Sequence, residues 1–135
     1  MVREVHHLGV AVDGLDQAIA LWAGLFGATL EHRETVPDQG VEAASLRVGD
    51  SRVELLAPLA ADTPVGRFLE RRGPGMHHVA FHVDDVAGEL DRLRAAGVQL
   101  IDEEPRQGLF GLQVAFVHPE ATGGVLAEFV GHERS

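Results

Sequence analysis

His6-His7-Leu8-Gly9-Val10-Ala11-Val12-Asp13 returns 71 residues later as His77-His78-Val79-Ala80-Phe81-His82-Val83-Asp84. In a chain of 135 residues, a repeat at that offset makes the second half a copy of the first. Each copy opens on an apolar strand with paired His. Each closes on a strand with one Glu among hydrophobic residues, Val53-Glu54-Leu55-Leu56 in the first and Val125-Leu126-Ala127-Glu128-Phe129 in the second.

The pattern between these ends predicts βαβββ, twice. In the first module, about residues 4–58, a nearly unbroken apolar strand covers 4–12 and reads as buried on both faces. Leu15, Ala18, Ile19, Trp22, Leu25 and Phe26 recur at helical spacing, with Asp13 as the expected cap and Gly27 as the stop. A strand near 28–35, a Pro37-Asp38-Gln39-Gly40 turn and a hairpin of 41–48 with 52–57 complete it. The second module, about 75–131, repeats this with a strand at 77–84 and a helix from Val86 that Gly97 ends. Strands are expected near 98–102, 112–118 and 124–130, with a long loop at 103–111. The linker carries a short helix at 65–71. The fold class is α+β, one domain over 1–135 built from two tandem modules.

Composition narrows the function. The chain is 45% hydrophobic and 24% charged, as an ordinary globular domain is. Its net charge of −10 and scattered basic residues argue against a nucleic-acid partner. No apolar run approaches a membrane span, and the N-terminus lacks a secretory signal, so a cytoplasmic location is expected. With no cysteine, disulfides and thiolate metal sites are excluded.

Strand alternation groups His7 with Gly9 and Ala11, and His78 with Ala80 and His82, leaving small neighbours beside each imidazole. Glu54 and Glu128 lie in apolar strands, where an unpaired carboxylate is costly to bury. One divalent cation per chain would offset that cost for both. His7, Glu54, His78 and Glu128 are therefore the expected ligands, and two imidazoles with two carboxylates suit Co²⁺, Mn²⁺, Zn²⁺, Ni²⁺ or Fe²⁺. His32 and His132 read as surface residues. His118, before Pro119, reads as a turn residue or a substrate contact. Arg47, Arg67 and Arg106 read as surface residues within reach of phosphates.

The paired modules and the His…Glu…His…Glu order resemble the vicinal oxygen chelate superfamily. Within it the chain resembles the methylmalonyl-CoA epimerase family over almost its whole length. The stretches that carry this are His7-Leu8-Gly9-Val10-Ala11-Val12, Asp38-Gln39-Gly40-Val41, Glu54-Leu55-Leu56-Ala57-Pro58-Leu59 and Pro64-Val65-Gly66-Arg67-Phe68-Leu69. They continue through Gly75-Met76-His77-His78-Val79-Ala80-Phe81, Glu104-Pro105-Arg106-Gln107-Gly108, Phe116-Val117-His118-Pro119 and Gly123-Gly124-Val125-Leu126-Ala127-Glu128.

The resemblance implies a curved mixed sheet around a metal site, an acyl-CoA substrate and a homodimer. It implies an enzyme that converts (R)- and (S)-methylmalonyl-CoA by removing the proton next to the thioester, with the metal stabilising the enolate charge. Some relatives carry a catalytic Glu three positions after the Gly of the Gln-Gly-Val turn, where this chain has Ala43. Glu42 precedes it and would act only if a bulge turned it inward. Glu128 is the other candidate base, in addition to its ligand role. The alternatives are a glyoxalase I-like lyase and a metal-free small-molecule binding protein of the same fold. An aromatic content of 5% equips the chain poorly for the latter.

Overall fold

The computed structural model describes residues 1–132. The first module runs β1 (Val2–Ala11), α1 (Leu15–Phe26), β2 (Thr29–Val36), β3 (Val41–Val48) and β4 (Ser51–Pro58). A linking helix, α2 (Pro64–Arg72), leads into β5 (Gly75–Val83), α3 (Val86–Ala95), β6 (Arg106–Gln107), β7 (Gln113–Val117) and β8 (Ala127–Gly131). The doubled βαβββ order expected from the repeat is present, and the strands are ordered β2-β3-β4-β1-β5-β8-β7-β6. The sheet is mixed: β1 with β4 and β5 with β8 are parallel, whereas β2-β3-β4 and β6-β7-β8 are antiparallel. Two compact units result, His7–His77 and a second made of Met1–His6 with the chain from His78 onward.

In the His7–His77 unit, alternation sends Val10, Ala44, Leu46, Val53 and Leu55 to one face, where Leu15 and Ala18 of α1 cover them. Leu46 and Leu55 are wholly buried, each stabilising the fold by about 1.5–3 kcal/mol. Gly27 ends α1 in the left-handed region, its N–H donating to the Ala23 carbonyl at 3.0 Å. The start of α1 differs from expectation: the cap position is Gly14, and no side chain caps it. In the other unit Val83, Ala115, Val117 and Phe129 meet Val86 and Leu90 of α3 in the same manner. Here a side chain does cap the helix, with Asp85 accepting from the Gly88 N–H at 3.1 Å.

The expected strand at 98–102 does not form; Leu100 makes only an isolated bridge to Val117. The Asp102 side chain accounts for this. Its carboxylate accepts from the Phe116 N–H at 2.8 Å, taking a donor that a strand carbonyl would have used. Pro105 has no N–H to resume the ladder, so pairing restarts only at Arg106–Gln107, inside the segment expected to be loop.

Two devices set the β2–β3 register. Gly40 turns the chain between the strands at φ 68°, a conformation a side chain resists, and an added Cβ would lie 2.7 Å from Thr63 Cγ2. A bulge between Leu30 and His32 then inserts Glu31. Its carboxylate accepts from Arg52 Nε at 2.7 Å and Arg47 Nη1 at 2.9 Å. The Arg52 hydrogen bond, with help from Arg47 and against the effect of burial, holds the Glu31 pKa down at about 2.

Gly40→Ala should destabilise the protein by about 1–3 kcal/mol in urea unfolding, through both backbone strain and the Thr63 clash. Because the folded Glu31 pKa lies below its ordinary 4.5, its stabilisation is complete above that value and fades as pH falls toward about 2. Glu31→Gln should therefore cost roughly 1 kcal/mol at pH 7 and almost nothing near pH 2, an outcome that unfolding curves at the two pH values can check.

Candidate metal centre

A buried imidazole and a buried carboxylate meet in each unit, and the strand register explains how. Parallel pairing of β1 with β4 sets Gly9 level with Glu54. His7, two residues before Gly9, shares its face, and the absent side chain at Gly9 lets the imidazole lean toward the carboxylate. His7 Nε2 lies 3.3 Å from Glu54 Oε2, with the side chains only 4% and 11% exposed. The second unit repeats the device. Parallel pairing of β5 with β8 sets Ala80 level with Glu128. His78 Nε2 lies 3.3 Å from Glu128 Oε1, and these side chains are 2% and 3% exposed.

Both spacings exceed the 2.7–2.9 Å usual for a charge-assisted hydrogen bond. Donors held by one ion at about 2.1 Å with a tetrahedral angle stand about 3.4 Å apart, close to both spacings. His7, His78 and Glu128 are all buried, and their donor types could hold a metal ion. His7, His78 and Glu128 thus fit a metal ion by burial and donor chemistry, and Glu54 is not among that group.

The surroundings of each pair differ. In the His7–His77 unit, antiparallel pairing aligns Glu54 with Ser45 and Ser45 with His32. His32, Ser45, Glu54 and Gly9 therefore form one row across β2, β3, β4 and β1, on the face away from α1. The next row holds Glu34, Ala43, Leu56 and Ala11. His32 Nε2 and Glu34 Oε1 are 2.7 Å apart, both side chains about one-third exposed. In the other unit, Phe116 is level with Glu128 and packs edge-on against His78, their ring centroids 5.5 Å apart. Arg106 is level with Val114, the place that Glu34 takes beside Ala43. Its guanidinium lies 6.0 Å from the Phe116 ring centre, and its Nε is 3.1 Å from Asp102 Oδ1.

Glu42 is placed elsewhere. No bulge interrupts β3 around it; it pairs in regular register with Thr35 and Ala57. Alternation puts it on the α1 side, where Arg33 grips it with Nε and Nη2, both at 3.2 Å, and reaches Asp16 of α1 at 2.5 Å. His118 is a turn residue whose Nδ1 accepts from the Glu120 N–H at 3.1 Å. Arg47 is bound to Glu31, and Arg67 donates to the Asp62 carbonyl. His32, with about one-third of its side chain exposed, lies with Glu34 and Ser45 on the face that carries His7 and Glu54. The alternation His32-x-Glu34 was visible in the chain, but its face depends on a register that the Glu31 bulge alters.

Known proteins resemble this chain in both sequence and fold. The family model described as Glyoxalase/Bleomycin resistance protein/Dioxygenase superfamily matches residues 6–116. The Bacillus subtilis protein YqjC, uncharacterized, is 40% identical over 94% of this chain and 91% of its own. The ethylmalonyl-CoA/methylmalonyl-CoA epimerase of Cereibacter sphaeroides is 33% identical over 95% of this chain and 97% of its own. The crystal structure of methylmalonyl-CoA epimerase from Mycobacterium tuberculosis superposes with a TM-score of 0.94 at 37% identity, covering 98% of this chain and 90% of that one. Streptomyces coelicolor methylmalonyl-CoA epimerase, solved as a variant with 2-nitronate-propionyl-CoA, gives 0.95 at 33% identity over 98% and 96%. The chain belongs to the glyoxalase/bleomycin resistance protein/dioxygenase superfamily and, within it, to the methylmalonyl-CoA epimerase family.

Proposed function

We propose that this chain is an epimerase interconverting (R)- and (S)-methylmalonyl-CoA, and that His7, Glu54, His78 and Glu128 together hold one divalent transition metal ion. The carrying observation is the buried His–Glu pair, repeated at one register in both units of a chain from the methylmalonyl-CoA epimerase family. Bound there, Co²⁺, Mn²⁺, Zn²⁺, Ni²⁺ or Fe²⁺ would supply a Lewis acid for the negative charge that grows on the thioester oxygen.

The chain's own groups do the rest. Burial of His7, Glu54, His78 and Glu128 keeps bulk water from the carboxylates and strengthens their electrostatic interactions. The reaction moves one proton off the carbon between thioester and carboxylate and returns one to its other face, so it needs proton carriers beside that carbon. Glu42, gripped by Arg33 on the α1 side, is not proposed for this. Glu128 is, in addition to its ligand role. An acyl-CoA substrate, a homodimer and a cytoplasmic location belong to the same proposal. No helix among the described residues is long and apolar enough to cross a membrane.

Metal-loaded protein incubated in D₂O with either epimer should incorporate deuterium at the α-carbon and give both configurations. Turnover of the methylglyoxal–glutathione adduct without such exchange would instead establish the glyoxalase-like lyase, and binding without any turnover the small-molecule carrier. Metal at 100 times its Kd should raise stability by about 2.7 kcal/mol, measured as a shift in the unfolding curve. His78→Ala should abolish both that shift and turnover while the far-ultraviolet circular dichroism stays native; undiminished metal content in this variant would overturn the ligand assignment.

A further inference from the structure

We infer that Glu34 is a proton carrier of this reaction, held in place by His32; the inference rests on the epimerase reading above. Placement within the His7–His77 unit singles out this carboxylate. An epimerisation base must lie on the same sheet face as the groups that bind the reacting end of the substrate. In this unit that is the face away from α1, where His7 and Glu54 meet. Three carboxylates besides Glu54 come under consideration on β2 and β3: Glu31, Glu34 and Glu42. Glu42 is on the wrong face, fixed by Arg33 and thereby tied to Asp16. Glu31 is on the correct face but is gripped by Arg47 and Arg52, which makes it too weak a base to take a carbon-bound proton. Glu34 meets the requirement. It stands in the row next to that of Glu54, across β3 from Leu56, and about one-third of its side chain is exposed.

The span is suitable. Two strand spacings of about 4.8 Å put the His32 backbone about 10 Å from that of Glu54, and Glu34 is two residues further along β2. The side chains on β3 between them are Ala43 and Ser45, both small, so no bulky group rises from the floor there. His32, 2.7 Å from Glu34 Oε1, fixes one carboxylate oxygen and leaves the direction of the other determined.

In the step itself, a Glu34 oxygen takes the α-proton. The C–H bond breaks, an O–H bond forms, and the electron pair passes into the thioester as enolate. A proton from the second carrier, for which Glu128 is proposed above, then bonds to the opposite face of the carbon. Exchange with water resets both groups, so no oxidant, reductant or further reactant is consumed.

The test uses the full metal-loaded chain and reads metal content, KM, kcat and deuterium uptake from each epimer. Glu34→Gln should keep its metal and its KM while kcat for epimerisation falls by about 100-fold or more. Uptake of deuterium should survive for only one epimer, the one whose proton faces the other carrier. Glu34→Asp should recover part of the rate, which guards against a loss caused by misfolding. His32→Gln should lower kcat by about tenfold and displace the acidic limb of the pH–rate profile, a readout that a packing role would leave in place. Glu42→Gln should match the wild type. A Glu34→Gln protein within threefold of the wild-type kcat, or a Glu42→Gln protein that loses activity in its stead, would overturn the inference and leave the epimerase reading intact. A wild-type chain that exchanges no α-proton would remove both.

Discussion

A carboxylate buried in an apolar sheet is costly unless something positive or hydrogen-bonding stands against it. Glu54 and Glu128 are both in that position, and the structure answers each with an imidazole 3.3 Å away. The parallel pairings of β1 with β4 and β5 with β8 exist in the one register that brings about these meetings. A slip of one residue in either would send the Glu to the helix-covered face and leave the imidazole alone. The helices, the hydrophobic clusters beneath them and the hairpins fix that register. Both buried His–Glu pairs depend on that register.

Much of this was legible in the chain because it depends on period and repetition. The His-His and apolar-Glu phrases recur, alternation assigns His7 and His78 to the faces of Gly9 and Ala80, and glycines mark helix ends. What escaped the reading depended on side chains intervening in the backbone ladder. Asp102 captured the Phe116 N–H, dissolving an expected strand and shortening β6 to two residues. Glu31 entered β2 as a bulge, so His32 and Glu34 could not be assigned a face by counting from either end. Gly14 rather than Asp13 begins α1, a displacement of one residue that period alone does not resolve.

Glu42 is the converse case, a residue whose face alternation does assign. Parity argued that it would face away from Ala43, and the structure adds the reason it stays there: a planar guanidinium engages both of its oxygens and ties it to a helix residue. A carboxylate held in that way serves the joint between sheet and helix.

Rim positions of the two modules have diverged, whereas the inner His–Glu pair is kept in both. Level with Ala43 stands an acid, Glu34; at the matching place beside Val114 stands a cation, Arg106. A doubled scaffold can keep its inner pairs identical and still become asymmetric at the rim, since the rim residues are two strands removed from the donors. Such a chain is free to change what it acts on by altering one border at a time, with the half that does not change preserving the centre. Inheritance of a common heart with independent margins is a simple physical route by which one duplicated frame can come to house many reactions.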